Sequence, residues 1–537
     1  MVKKHIRFND VALRESAQVE GGNMSPRDQL TYVKMLLEGG IDCIEVGYPG
    51  SSPEQMGNCK RVIDFVHEWE GSQIPLLSGL ATADKSMIDA VKEAGCDVCH
   101  IYIPSSEEFI TAMFKDNDRY GDSFEEKQRW VIEHSVAMVK YAKSLGFQHV
   151  QYSPEDAARS SKDFICTLVE AVIAAGATVI NIPDTTGLRI LNEFGDLISY
   201  IKSNVPNIDQ AMLSVHCHND SDNATNNALQ AIMAGAEIVE GTFYGLGERS
   251  GMTKFEAILM NFTTRQDVFA DFEINFDISH CVKIVNFISS ALGMPVPRHW
   301  VVTGRQNGIC SSGTHQAVEA RAESTQQGYY SWEPEKFGHG KVETIINQSS
   351  GRAGIKKRLE QLGYFVSKED LDNIYAEAMK VSDAQGGKAL EDRELIAVVD
   401  DVLADIPFPI KITKCQAIGG QGTIPNAVIT LVVDNREWTV SSTGDGIFDA
   451  VMKAVILGVQ TFYPELQRVN ISLMEWNPKA VTKGSDSLAD VYVSMRFGNG
   501  DGTIHAGRSL DLDTVQAVAQ AYANCISWYL NSVVGQK

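Results

Sequence analysis

Leu213-Ser-Val-His-Cys-His-Asn-Asp220 ends an apolar strand-like run, Met212 to Val215, with two histidines. Side chains along a strand alternate between faces, so His216 and His218 point one way and Cys217 the other. Two imidazoles on one face can reach one metal ion. The plainer reading is a pair of buried rings satisfied by hydrogen bonds. What separates the two is the company the strand keeps.

That company is a regular alternation of strands and helices. Strand-like runs fall at His5–Leu13, Cys43–Pro49, Pro75–Ala81, Val98–Pro104, His149–Glu155, Thr178–Asp184, Met212–Asn219 and Ile238–Gly245. Helix-length segments such as Pro26–Gly40 and Asp156–Gly176 separate them. Eight such units within roughly 260 residues predict an α/β chain with a (β/α)8 TIM barrel over residues 1–270. A doubly wound sheet is the alternative. The count of eight favours the barrel, as does the recurrence of polar residues at one strand end. Catalytic groups of such barrels sit at the C-terminal ends of the strands. Here those ends carry Arg14 and Glu15, Glu45, His100 and Tyr102, Ser153 and Glu155, Asp184 to Gly187, His216 and His218, and Gly247 to Arg249.

Residues 271–400 read as helical linker subdomains with polar loops, among them Gln306 to Gln316 with His315 inside it. Residues 401–537 read as an α+β domain with an internal βββα repeat, its halves joined by glycine-rich turns. The turns Gly419 to Gly422 and Thr443 to Gly446 offer backbone N–H groups to a carboxylate, which makes Gly420, Gly422 and Gly444 candidate effector contacts.

Composition excludes several classes of function. The chain has 537 residues and a formal net charge of −22, so a phosphate backbone repels it and nucleic acid is no partner. No apolar run approaches about 18 residues, so no membrane span is expected, and Met1 to Phe8 lacks the apolar core of a signal peptide. Ten scattered cysteines, most within apolar runs, fit reduced thiols and a cytoplasmic protein. Cys96-Asp-Val-Cys99 stands alone and runs into a strand, which argues against a redox or zinc role.

Two imidazoles and a carboxylate, best supplied by Glu15, make a three-ligand site with open positions for a divalent ion, Zn, Mn or Mg. A 2-oxo acid could bind there through its carbonyl and carboxylate oxygens. Arg14 could stabilise the alkoxide that develops, and Glu155 and His315 are candidate bases. This suits carbon–carbon bond formation or cleavage without deciding between them.

Six motifs in order then carry a resemblance. Asp10-Val-Ala-Leu-Arg-Glu-Ser-Ala-Gln18 resembles D-T-T-L-R-D-G-E-Q, and Ile44-Glu-Val-Gly-Tyr-Pro49 with Ser51-Ser-Pro53 resembles I-E-A-G-F-P with S-S-P. Tyr152-Ser-Pro-Glu-Asp-Ala157, Asn181-Ile-Pro-Asp-Thr-Thr-Gly187, Ser214-Val-His-Cys-His-Asn-Asp220 and Ser311-Ser-Gly-Thr-His-Gln316 follow. The chain resembles the 2-isopropylmalate synthases, within the barrel enzymes that also make citramalate and homocitrate. The resemblance implies acetyl-CoA as a substrate, metal ligation by Glu15, His216 and His218, and keto-group polarisation by Arg14. It also implies proton transfer by Glu155 and His315, a carboxylate contact at Thr185, and a leucine-sensing C-terminal domain.

Three positions depart from the pattern. Glu15 stands where the family has aspartate, Met252 where it has asparagine, and Cys310 where it has histidine. The expected reaction is a Claisen-type condensation of acetyl-CoA with 2-oxoisovalerate. Phenylpyruvate or pyruvate is the alternative acceptor, and Leu80, His100, Tyr102 and Ser153 are expected to contact it. A retro-reaction lyase and a metal-free effector-binding homologue are the competing classes. The C-terminal domain is expected to make a homodimer.

Overall fold

The computed structural model describes residues 3–534, apart from residues 72, 322–328, 341–342, 363, 365, 367, 385, 403–409, 481–488 and 499–501. The expected edge of the C-terminal domain, near residue 401, adjoins residues that lie outside the described ones. Two compact units emerge: Met1–Gly308 with Trp332–Val342, and Ile309–Ser331 with Glu343–Lys537.

The first unit contains a closed eight-stranded barrel. Its strands are β1 (Arg7–Asp10), β2 (Cys43–Gly47), β3 (Leu76–Thr82), β4 (Val98–Pro104), β5 (His149–Glu155), β6 (Val179–Asp184), β7 (Met212–Cys217) and β8 (Ile238–Gly241). All neighbours pair in parallel, and β8 closes on β1 with Arg7 opposite Ile238. Parallel strands covered on both faces need apolar runs rather than alternation; every residue of β6, Val-Ile-Asn-Ile-Pro-Asp, is buried. The helices start and stop by local rules. In Pro26–Gly39, Ser25 accepts the Asp28 N–H, a proline occupies the first turn and Gly40 ends the helix in the left-handed region.

Several strands are shorter than expected, the first and last most of all, and those two differences shape the site. The run His5–Leu13 divides: Lys4–His5 pairs with Phe272–Glu273 outside the barrel, β1 stops at Asp10, and Ala12–Glu15 forms one helical turn. The Asp10 carboxylate causes this by accepting the Ala12 N–H at 3.1 Å. The run Ile238–Gly245 ends at Gly241, and Phe243–Gly245 becomes a 3-10 turn with Tyr244 at φ 66°. His218 lies just past β7 and bridges to Met252.

In the second unit the duplicated βββα pattern is present. Lys411–Ile418, Asn426–Val433 and Arg436–Thr443 make one antiparallel sheet, followed by helix Ile447–Phe462. Ile471–Ala480, Ala489–Phe497 and Thr503–Asp511 make another, followed by helix Thr514–Val534. Ile429, Leu431, Val451 and Val455 pack with Val491, Val493, Ala521 and Ile526 in one buried core.

Candidate active site

The helical turn after β1 decides where the first two site residues go. It swings Arg14 and Glu15 back over the barrel mouth. There the Arg14 guanidinium bonds the carboxylates of Glu15 and Glu45. Glu15 is fully buried, and its Oε2 accepts the Glu248 N–H at 3.2 Å. Burial works against its ionisation, but Arg14 and the two histidines hold its carboxyl below the ordinary range.

His216 and His218 converge on the same point. Their Nε2 atoms lie 3.2 Å apart, and His216 Nε2 lies 3.8 Å from Glu15 Oε1. Each ring uses its other nitrogen as a donor: His216 Nδ1 to Glu240 Oε2 at 2.8 Å and His218 Nδ1 to Gly251 O at 3.3 Å. Those bonds fix the tautomers and leave both Nε2 lone pairs facing Glu15. Burial, and then His216, pushes His218 down to about 4, so it is neutral at pH 7 and able to ligate.

Charge gives an independent test of whether a cation fits. Glu15, Glu45 and Glu240 are all held below the ordinary carboxylate range, and Arg14 is the guanidinium among them. Three buried carboxylates thus crowd one guanidinium and depend on added positive charge nearby, which a divalent cation held by Glu15, His216 and His218 would supply. The ligand atoms of this trio lie within 4.8 Å of one another, as do those of Glu45, His100 and Glu240.

The second trio is a hydrogen-bond network rather than a second metal site. His100 Nδ1 donates to Glu45 Oε2 at 2.6 Å, and its Nε2 accepts from Ser153 Oγ at 2.7 Å. Glu240 accepts from Gln151 at 2.6 Å, Asn9 at 3.1 Å and Asn181 at 3.3 Å, besides His216. Every ligand atom is engaged. Burial opposes the ionisation of Glu45, yet Arg14 and His100 hold its carboxyl down at about 2. His100, expected to touch substrate, therefore has both ring nitrogens committed to Glu45 and Ser153. It lines the cavity as a strut.

The barrel mouth encloses a cavity of about 170 Å³. Arg14, Glu15, Leu80, His100, Tyr102, Ser153, Glu155, Thr185, His216 and His218 all line it. Glu155, the last residue of β5, is raised to about 7 by burial first and then by Asp156 and Glu248. Thr185 Oγ1 accepts the Asp156 N–H at 3.0 Å, which leaves its hydroxyl proton to donate. Sequence reasoning missed Glu240. Its signal was a glutamate inside the short apolar run Ile238-Val-Glu-Gly241, a position that demands partners.

Other candidate residues belong to the second unit. His315 lies on helix Gly313–Arg321 with its ring stacked on Tyr329 at 3.8 Å. The expectation of open backbone N–H groups along Thr443 to Gly446 is corrected. Gly444 N donates to Pro425 O at 3.0 Å and Asp445 N to Asp449 at 2.9 Å, because the hairpin and the following helix close on themselves. Gly420 and Gly422 stand in the other turn, where Gly420 O accepts the Thr423 N–H at 3.1 Å.

Known proteins match this arrangement along the whole chain. Residues 5–288 fit the HMGL-like family, 302–386 the homocitrate synthase post-HMGL domain-like family, and 389–530 the LeuA allosteric (dimerisation) domain. The 2-isopropylmalate synthase of Dictyoglomus turgidum is 33% identical over 96% of this chain and 97% of its own length. That of Syntrophus aciditrophicus is 32% identical over 98% and 96%, and that of Carboxydothermus hydrogenoformans 32% over 98% and 97%. With a closed barrel, a histidine pair and a duplicated C-terminal domain in the same order, the chain is an enzyme of the 2-isopropylmalate synthase family.

Proposed function

We propose that this enzyme condenses acetyl-CoA with a 2-oxo acid, by default 2-oxoisovalerate, to give 2-isopropylmalate and free CoA in leucine synthesis. The observation that carries the reading is the convergence of Glu15, His216 and His218 beside Arg14 and a carboxyl poised near neutrality, Glu155. Glu15, His216 and His218 would hold a divalent ion, Zn, Mn or Mg, which would supply Lewis acidity to a keto oxygen. Arg14, fixed by Glu45 and Glu15, faces the developing alkoxide. Glu155 takes a proton from the acetyl methyl group, since a base with a value near the working pH is the most effective. His315 is the proposed second proton-transfer group, and Thr185 donates to the substrate carboxylate, while Ser153 lines the cavity beside it. Leu80 and Tyr102 border its side chain. Similarity over the full chain, including 389–530, supports the synthase direction over the lyase one.

The three matched segments, 5–288, 302–386 and 389–530, support a three-part chain, with the divisions lying between 288 and 302 and between 386 and 389. The LeuA-type segment supports a homodimer, with an amino-acid effector contact at Gly420 and Gly422. All ten cysteines are free thiols, and no helix among the described residues is long and apolar enough to cross a membrane. The free thiols support a reduced setting, and a cytoplasmic location without nucleic-acid or membrane partners is proposed with it. Thiol release from acetyl-CoA, measured with a panel of 2-oxo acids and added divalent metal, tests the central claim. No CoA with any of them, from folded protein binding about one metal ion per chain, would overturn it.

A further inference from the structure

The cavity over Glu15, His216 and His218, about 170 Å³, is smaller than the few hundred Å³ usual for organic ligands. Behind one of its walls lies a second cavity of about 490 Å³. Tyr102 and Glu155 line both, so the two cavities adjoin with those side chains as their common wall. Helices Glu107–Met113 and Phe124–Ser144 supply Phe109, Met113 and Trp130 to its lining, and Phe114 completes an aromatic wall. Phe114, Tyr120 and Trp130 pack with ring centroids 4.7–5.1 Å apart. Of its polar lining residues, Glu155 stands at the wall shared with the first cavity, and His134 and Arg119 have partners of their own. His134 Nε2 donates to Ala83 O at 2.6 Å and stacks on Trp130, and the Arg119 guanidinium lies over the Tyr120 ring. Away from Glu155 the lining is mostly apolar and aromatic, so a ligand's amide groups would go unpaired there at a cost, whereas a hydrocarbon or aromatic group loses nothing.

We propose that this second cavity receives the side chain of 2-oxo acids bulkier than isopropyl, aromatic ones included, entering past Tyr102. The inference rests on the condensation reading above, because that reading points the acceptor's side chain at Leu80 and Tyr102. The enzyme's substrate class is then wider than 2-oxoisovalerate.

The test uses the full-length enzyme with metal and acetyl-CoA, comparing kcat/KM for 2-oxoisovalerate and phenylpyruvate. Ala112 lines the second cavity but is exposed, so Ala112→Phe and Ala112→Trp fill it without disturbing the core. Expected for the unaltered enzyme is a phenylpyruvate kcat/KM at least one-tenth that of 2-oxoisovalerate. At least one filling variant should lower the phenylpyruvate value about tenfold or more while changing the 2-oxoisovalerate value less than threefold. Phenylpyruvate below one-tenth in the unaltered enzyme overturns the proposal, as does an equal effect, or none, of both variants on the two substrates. In either case turnover of 2-oxoisovalerate leaves the condensation reading standing. Absence of turnover with every 2-oxo acid removes both.

Discussion

Glu240 Oε2 accepts the proton of His216 Nδ1 at 2.8 Å, so the lone pair of His216 is aimed at Glu15 and His218 from behind. Glu240 touches neither Glu15 nor His218 in the hydrogen-bond pattern of the site. Its other donors are Gln151, Asn9 and Asn181, so four barrel strands fix one carboxylate and, through it, one ligand.

Glu240→Gln should keep the fold and weaken metal binding by about 10–100-fold. Metal titration by calorimetry on the full-length protein reads this directly. Unchanged affinity would show that His216 is oriented by packing alone.

Glu155 predicts a pH profile. A carboxyl raised from 4.5 to about 7 is mostly protonated, and so inactive as a base, on the acid side. The logarithm of kcat/KM should rise with unit slope up to about pH 7 and then level off. Glu155→Gln should lower kcat by about 10²–10⁴-fold and abolish that limb. A limb that survives the substitution assigns it to another group.

Asp10 predicts a pH-dependent stability. Burial raises its carboxyl from 3.8 to about 7, against the opposing bonds from Tyr32 and Ala12. The folded protein therefore holds a proton that the unfolded chain has released. This contribution is full below about 3.8 and lost as pH rises to about 7. Asp10→Asn should lose less stability than the unaltered enzyme between pH 5 and 8, by on the order of 2 kcal/mol. Parallel losses in thermal scans at the two pH values would contradict it.

Gly251 holds the loop behind His218. It sits at φ 83°, and a Cβ there would collide with the Gly245 carbonyl oxygen. Its own oxygen accepts from His218 Nδ1 and from the Asn219 N–H at 2.9 Å. Gly251→Ala should cost about 1–3 kcal/mol and reduce metal affinity together. Loss of stability with intact metal binding would separate the loop from the site.

Much of this was legible in the chain itself. Strand and helix periodicity, together with six ordered motifs, placed the barrel strands and the duplicated C-terminal unit, because these depend on local alternation and turn chemistry. The same-face pairing of His216 and His218 follows from two-residue periodicity, and their Nε2 atoms do meet at 3.2 Å. Tertiary structure decided the rest. Asp10 turns the backbone after β1, so Arg14 and Glu15 arrive on a helical turn and not on a strand. Glu45 and Glu240 lie 195 residues apart in the chain, yet both anchor the site through partners on other strands. His100, read as a substrate contact, is committed to Glu45 and Ser153. Local sequence sets where a strand runs and which face a side chain takes. Which buried charge meets which partner is settled only when strands distant in sequence close into one barrel, where an unpaired charge costs more than the site can bear.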